Sequence, residues 1–225
     1  MDRITDRKFI QGYCDWCSKV NWYSAQLFLK QLESEQNLEI KKALFVKIYM
    51  ELIQACEHLI AFVHTIKKSD CLKGFKNRLI KCPSSGHAFR YLWNDLRKLK
   101  SKPGKVFPYL GINITSKEYE DDKLALDGIY YAILASLRNR YIHSQEQKTS
   151  RIMKAFGKLK HGFPLHTPVG TDRIYIFLSS GRGVRRIQTN LNIKSAQEMC
   201  GTTQAIHNTL VNLSGILLDR GITTS

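Results

Sequence analysis

Arg138, Asn139 and His143 close an apolar helical run in the string Arg138-Asn139-Arg140-Tyr141-Ile142-His143. An imidazole titrates near pH 6.5, so His143 can take or give a proton at neutral pH. An arginine stays cationic and presents a fork of donors that fits a phosphate, the role open to Arg138. Asn139 has the chemistry either to hold a phosphate oxygen or to orient His143. At ~100° per residue, Asn139 and His143 fall within ~40° of each other on a helix, while Arg138 lies about 140° from His143. Arg138 and His143 therefore do not converge on a regular helix of one chain. Either the helix frays near its end, or a second subunit completes the site, and a C2 homodimer with two Arg138 and two His143 at one groove is the arrangement favoured. The plainer alternative is that these basic residues only complement the negative end of a helix dipole.

Random placement of 13 Arg, 10 Asn and 7 His among 225 positions yields roughly 0.02 copies of Arg-Asn-x-x-x-His, so the match is more than composition. Arg140, Lys148 and Arg151 flank it and are candidates for guiding a nucleic-acid backbone. Tyr141 reads as core. His58 and His64, six apart on a long helix, need no function, and His161 and His166 lie in a Gly- and Pro-bearing stretch that reads as surface loop. Glu51 and Glu57 would supply polar support only if their helix packs on the motif helix. No Walker A loop, Rossmann fingerprint, HExxH or GxSxG string occurs. The six cysteines do not look like a disulfide framework and read as free thiols, several of them buried. Cys14-Asp15-Trp16-Cys17 has the spacing that starts a zinc site, but Cys71, Cys82 and His87 form no second knuckle. The pair reads as two thiols flanking a core Trp, and no metal or other cofactor is expected.

With 35 Lys+Arg against 19 Asp+Glu the chain carries a net charge of +16, and the excess is regional. Residues 67–105 hold twelve Lys and Arg against Asp70 and Asp95, and residues 147–197 hold ten against Asp172. Residues 117–127 are locally acidic. Two basic segments point to a polyanion, whose phosphates would bring affinity and salt dependence without sequence information. No apolar run approaches ~18 residues, and no basic stretch is paired with a strongly apolar helical face, so a membrane partner is not expected. The charged start, Met1 to Lys8, has no apolar stretch behind it, which predicts a cytoplasmic chain without a secretion signal.

The elements that must hold these residues are mostly helical. Val20 to Gln36 reads as a helix through Trp22, Leu27, Phe28 and Leu32. Leu38 to Lys67 carries the strongest apolar period in the chain, from Ala43-Leu44 to Val63. A short helix fits within Ser69 to Ser85, and another runs from His87 to Leu99. Val106 to Ile114 reads as a loop or short extended piece. Thr115 to Glu118 offers caps for a helix from about Tyr119 to His143, with Ser150 to Lys158 as a further short stretch. The helical period then lapses, and Arg173 to Leu178, a Gly-bearing turn and Val184 to Thr189 read as a β-hairpin. Lys194 to Leu218 is helical and stops at Gly221. The expected class is mainly α: one helical-bundle domain over 1–225 with a β-hairpin inserted at about 173–189, before the last helix.

Arg-Asn, three residues and His, after an apolar helix in a basic, mainly helical chain, resembles the HEPN superfamily at Arg138, Asn139 and His143. The resemblance implies a bundle of four or five helices that dimerises, with both motif copies at one cleft. Many such proteins are metal-independent endoribonucleases of toxin–antitoxin, abortive-infection and antiviral defence systems, and others only bind nucleic acid or nucleotide. It thus implies RNA as substrate, a homodimer, and an acidic antitoxin or regulatory partner, with a non-catalytic nucleic-acid- or partner-binding module as the alternative. The hairpin lies outside the minimal bundle of that family.

Overall fold

The computed structural model describes residues 5–82, 95–96, 98–99, 105–137, 165–180 and 183–222. The described chain is mainly helical, with an antiparallel hairpin before the last helix. In order it contains α1 (Asp6–Tyr13), a π-helical turn (Cys14–Ser18), α2 (Lys19–Ser34), α3 (Leu38–Lys67), α4 (Phe75–Ile80), α5 (Val106–Leu110), α6 (Ser116–Asp121) and α7 (Lys123–Leu137). Strands β1 (Leu165–His166), β2 (Arg173–Ser180) and β3 (Gly183–Asn190) follow, and α8 (Ile193–Arg220) ends the described chain. Contacts divide into two groups, one within residues 1–20, 55–138 and 204–225, the other within 21–54 and 139–203.

In the first group, α3 buries Cys56, Leu59, Ile60, Phe62, Val63 and Ile66, residues too widely spread around the helix for a single stripe. Phe62 is the centre of an aromatic cluster, stacked on Tyr13 at 6.1 Å and edge-on to Phe75 at 5.6 Å. The π-turn follows from the burial pattern. Ile10, Cys14 and Ser18 are all buried at successive steps of four, which drift around an α-helix of 3.6 residues per turn. A wider turn keeps them on one face. Trp16, expected in the core, is instead 72% exposed, because the same turn aims it away from that face. The Asp6 carboxylate accepts from the Gly74 and Lys76 amides at 2.8 and 2.9 Å and so caps α4 from a distant part of the chain. Arg7 donates to the Leu218 carbonyl at 2.6 Å and ties α1 to the end of α8.

Residues 106–110, expected as loop or extended chain, form helix α5. Pro108 sits in its first turn, where no intrahelical donor is needed. The helix closes by a Schellman motif. The Ile112 amide donates to Phe107 and the Gly111 amide to Pro108, with Gly111 at φ 76°. Ile112 then bridges Ile222. Gly111→Ala would force a side chain into that left-handed turn, and it should lower stability by about 1–2 kcal/mol in a denaturant titration. An unchanged midpoint would show that the turn relaxes.

The expected helix from Tyr119 is two helices. Thr115 and Glu118 do form the capping box, so α6 begins at Ser116, and the chain steps out of helix at Asp122 (φ −110°, ψ 17°). Asp122 lies in a run of like charges, and its carbonyl starts α7 by accepting from Leu126. Leu126, Ile129, Tyr130 and Ile133 are buried as their spacing predicts, and the Tyr130 hydroxyl donates to the Leu96 carbonyl at 3.1 Å. In α8, Ile206, Leu210, Leu213 and Leu217 form the buried stripe, and Gly221 at φ 75° follows the last turn.

In the second group, α2 buries Asn21, Ala25 and Leu32, while Leu27, expected in the core, is 55% exposed. Ala43, expected in the apolar stripe of α3, is exposed, and the neighbouring buried positions are Lys42, Phe45, Val46 and Ile48. Lys42 is a fully buried cation, and its ammonium donates to Glu39 at 2.7 Å and to the Pro168 carbonyl at 2.9 Å. Two acceptors are the condition for leaving a charge there. The hairpin register runs from Arg173↔Asn190 to Ser180↔Gly183. The two-residue β1, which no pattern announced, pairs Leu165 with Ile176 and His166 with Tyr175, so the sheet has the order β1-β2-β3. Of the expected 87–99 helix, residues 95, 96, 98 and 99 are described, the first three helical and Leu99 in a turn whose amide donates to the Leu96 carbonyl. The expected 150–158 stretch lies outside the described residues.

Candidate functional site

Helix α7 carries the motif to its threshold. It is held by Leu126, Ile129, Tyr130 and Ile133 in the core and continues to Leu137, the residue before Arg138. Arg138, Asn139, Arg140, Tyr141, His143, Lys148 and Arg151 lie outside the described residues, as do His87 and His161.

Several polar pairs that sequence spacing did not reveal lie within the described helices. Ser18 and His207 meet at 2.8 Å, both buried, although 189 residues separate them. The Ser18 hydroxyl donates its one proton to the Cys14 carbonyl at 2.7 Å, so His207 Nδ1–H must donate to Ser18 Oγ. That orientation is the reverse of a serine nucleophile activated by histidine. Burial, then Lys19, holds the His207 pKa below its ordinary value. The pair joins the π-turn to α8. Tyr13 Oη lies 2.9 Å from His58 Nδ1, and burial pushes the phenol up, which keeps it neutral. Cys82 Sγ lies 3.6 Å from His64 Nδ1.

The cysteines are all free thiols, with Cys14, Cys56 and Cys200 buried. Burial raises Cys14 to about 12 and also raises Cys17, Cys56, Cys82 and Cys200, so the neutral thiol is favoured over the nucleophilic or metal-binding thiolate. Among the described residues no three His, Cys, Asp or Glu side chains are grouped to hold a metal ion.

Glu51 takes part in a polar link within the second group. The Asn21 amide nitrogen donates to Glu51 at 2.6 Å and to Gln54 at 2.9 Å, joining α2 to α3. Burial raises the Glu51 carboxyl, against the smaller lowering effects of Asn21 and Lys47. The folded state therefore holds this proton more tightly than the unfolded chain. Its contribution to stability is present below the ordinary carboxylate range and is lost as pH rises through the raised folded value. Glu51→Gln keeps an acceptor for Asn21 and removes the titration. Denaturant midpoints from about pH 4 to about pH 7 should fall less steeply for the variant. Equal slopes would contradict the assignment.

Surface charge separates two regions of the first contact group. Lys68, Lys73 and Lys81 are exposed between the end of α3 and the end of α4, with Asp70 as the acidic residue among them. Arg78, counted with them in sequence, is committed to the fold, since it donates to Ser69, Cys71 and Lys73 at 2.7 to 2.9 Å. Lys67 lies 3.2 Å from the centre of the Tyr109 ring, and burial lowers its pKa. A cleft of about 150 Å³ is lined by Ile114, Glu118, Asp122, Leu126, Ile216, Asp219 and Arg220. Arg220 is paired with Glu118 there, and the remaining carboxylates make the cleft unsuited to a polyanion. Of the second basic segment, Arg173 and Lys194 are described with exposed side chains, and His166, expected in a loop, is exposed on β1 and stacked on Tyr175.

No helix among the described residues is long and apolar enough to cross a membrane. No protein-family model, curated protein or solved structure matches the chain.

Proposed function

We propose that this chain is a metal-independent endoribonuclease of the HEPN type, acting at a composite site built by two subunits. The observation that carries the reading is Arg138-Asn139-x-x-x-His143 directly after helix α7. The mainly helical fold and the +16 charge support it. In the proposed reaction, the ribose 2′-oxygen attacks the adjacent phosphorus as its proton passes to a His143. The bond from phosphorus to the 5′-oxygen then breaks, and that oxygen takes a proton from an imidazolium. Arg138 stabilises the added negative charge on the phosphorane, and Asn139 holds a phosphate oxygen or fixes the imidazole. Arg140, Lys148 and Arg151 would guide the RNA backbone, and the exposed Lys68, Lys73 and Lys81 would add phosphate contacts. A cytoplasmic toxin or antiviral effector, restrained by an acidic antitoxin or regulatory partner, is the setting that suits such an activity.

The second reading, a non-catalytic HEPN-like module that binds nucleic acid or a protein partner, draws on the same exposed lysines. End-group analysis of products separates the two. The nuclease reading requires a 2′,3′-cyclic phosphate and a 5′-hydroxyl. Products ending in 3′-hydroxyl and 5′-phosphate would overturn this mechanism, and salt-sensitive binding without products would favour the module.

A further inference from the structure

The strand register gives the sheet of the second group two unlike faces. Residues of a strand alternate between faces, and residues directly opposite in an antiparallel pair share one. One face therefore carries His166, Tyr175 and Gln188 in a row across the three strands, with Arg173 opposite Asn190 in the next row. The other face carries Ile174 opposite Thr189. Ile174 is wholly buried, whereas His166, Arg173, Gln188 and Asn190 are all exposed, so the first face is the solvent side. On it the His166 ring is stacked on Tyr175, with centroids 6.1 Å apart and planes 13° from parallel. Tyr175 is 8% exposed and backs the imidazole, while His166 itself is exposed.

We propose that this face binds single-stranded RNA, with a base stacked on His166, the Gln188 and Asn190 amides on its edge, and Arg173 on a neighbouring phosphate. Shape is the first argument. A sheet that shows an aromatic ring to solvent is a platform for unpaired bases, whereas the bases of a duplex already stack on one another. Hydrogen bonding is the second. A carboxamide has two donors and two lone pairs, so the bond from Gln188 Nε2 to Asn190 Oδ1, at 3.4 Å, exhausts neither side chain. Charge is the third. The three strands contain Arg173, Arg185 and Arg186 and no Asp or Glu, and the nearest carboxylate in sequence, Asp172, precedes β2. A merely solvated face mixes both signs, while one that meets phosphates gains by excluding carboxylates. A His–Tyr pair alone would be an ordinary cross-strand contact. Here it stands beside an arginine and two amides on one open face, and two residues along the ladder the register sets Phe177 opposite Arg186. The inference rests on the proposed reading of RNA as the ligand and adds the class of RNA and a surface for it. It asks nothing of His143.

Fluorescence anisotropy of the full chain with a ~12-nucleotide 2′-O-methyl oligonucleotide, single-stranded or annealed to its complement, tests it. The methyl group removes the attacking hydroxyl, so binding is read without cleavage. The wild type should bind the single strand. His166→Ala should weaken that binding by ~5–50-fold, the loss of one stacked base, and leave the duplex unchanged. His166→Phe should restore it, because the ring is what the base uses. Arg173→Gln should weaken it too, and should reduce the slope of log K against log salt by about 0.7, the share of one phosphate. Both positions are exposed, and circular dichroism should show the same secondary structure. A chain that binds RNA but is indifferent to His166→Ala and Arg173→Gln overturns this proposal and leaves the nuclease reading standing. So does an equal loss for single strand and duplex, or variants that instead weaken binding to anionic vesicles. A chain that binds neither form of the oligonucleotide overturns the RNA reading with it. Unmodified RNA left intact by a chain with the expected binding pattern would end the nuclease reading alone and support this one.

Discussion

His143→Ala should reduce RNA cleavage by about 10²–10⁴-fold while leaving the fold and the salt-dependent retention of RNA nearly as they are. Imidazole is the one group in the motif able to exchange a proton at neutral pH, whereas affinity for a polyanion comes from many lysines and arginines spread along the chain. Removing one imidazole therefore takes away catalysis and scarcely any binding. Single-turnover rates and filter-binding isotherms on the same RNA would separate the two. A parallel loss of rate and affinity would mean that His143 acts as a binding residue, and Arg138→Ala, which removes a phosphate contact as well, should affect both.

The second large effect concerns the scaffold. Phe62→Ala should destabilise the chain by about 3–5 kcal/mol, because Phe62 is wholly buried between Tyr13 and Phe75 and no smaller side chain fills the gap. For a chain of this length that corresponds to a fall of roughly 6–20 °C in Tm, large against the total stability of a typical domain. Calorimetry with Phe62→Leu as a partial filler would check it. A loss below ~1 kcal/mol would show that α1 and α4 close over the cavity.

Much of the fold is legible in the residues. Helix α3 begins and ends where its periodicity says, because Asn37 accepts from the Glu39 amide at its start and the apolar repeat lapses at Lys67. Helix α8 has Asn192 as its cap and Gly221 beyond its end. The hairpin follows from the β-branched and aromatic run after Arg173 and the glycines beyond it. What the residues concealed depended on contacts between distant segments. Trp16 and Leu27 look like core until the π-turn and the buried Ser18–Ala25–Leu32 face turn them outward. Val106 to Ile114 lacks a helical period because five residues are too few to show one, and its helix is set by the Gly111 closure. β1 is two residues long and exists through its pairing with β2. The Ser18–His207 and Asn21–Glu51 pairs join residues with no shared spacing. For the candidate site the relation reverses. The motif is plain in sequence and the apolar face of α7 leads to it, while its own residues lie outside those described.

The central claim is catalysis through His143 without metal. Its most direct test is a time course on a mixed panel of RNAs in EDTA, with wild type and His143→Ala purified in parallel. The account predicts RNA loss with the wild type alone. Intact RNA with both proteins, or equal loss with both, would contradict it.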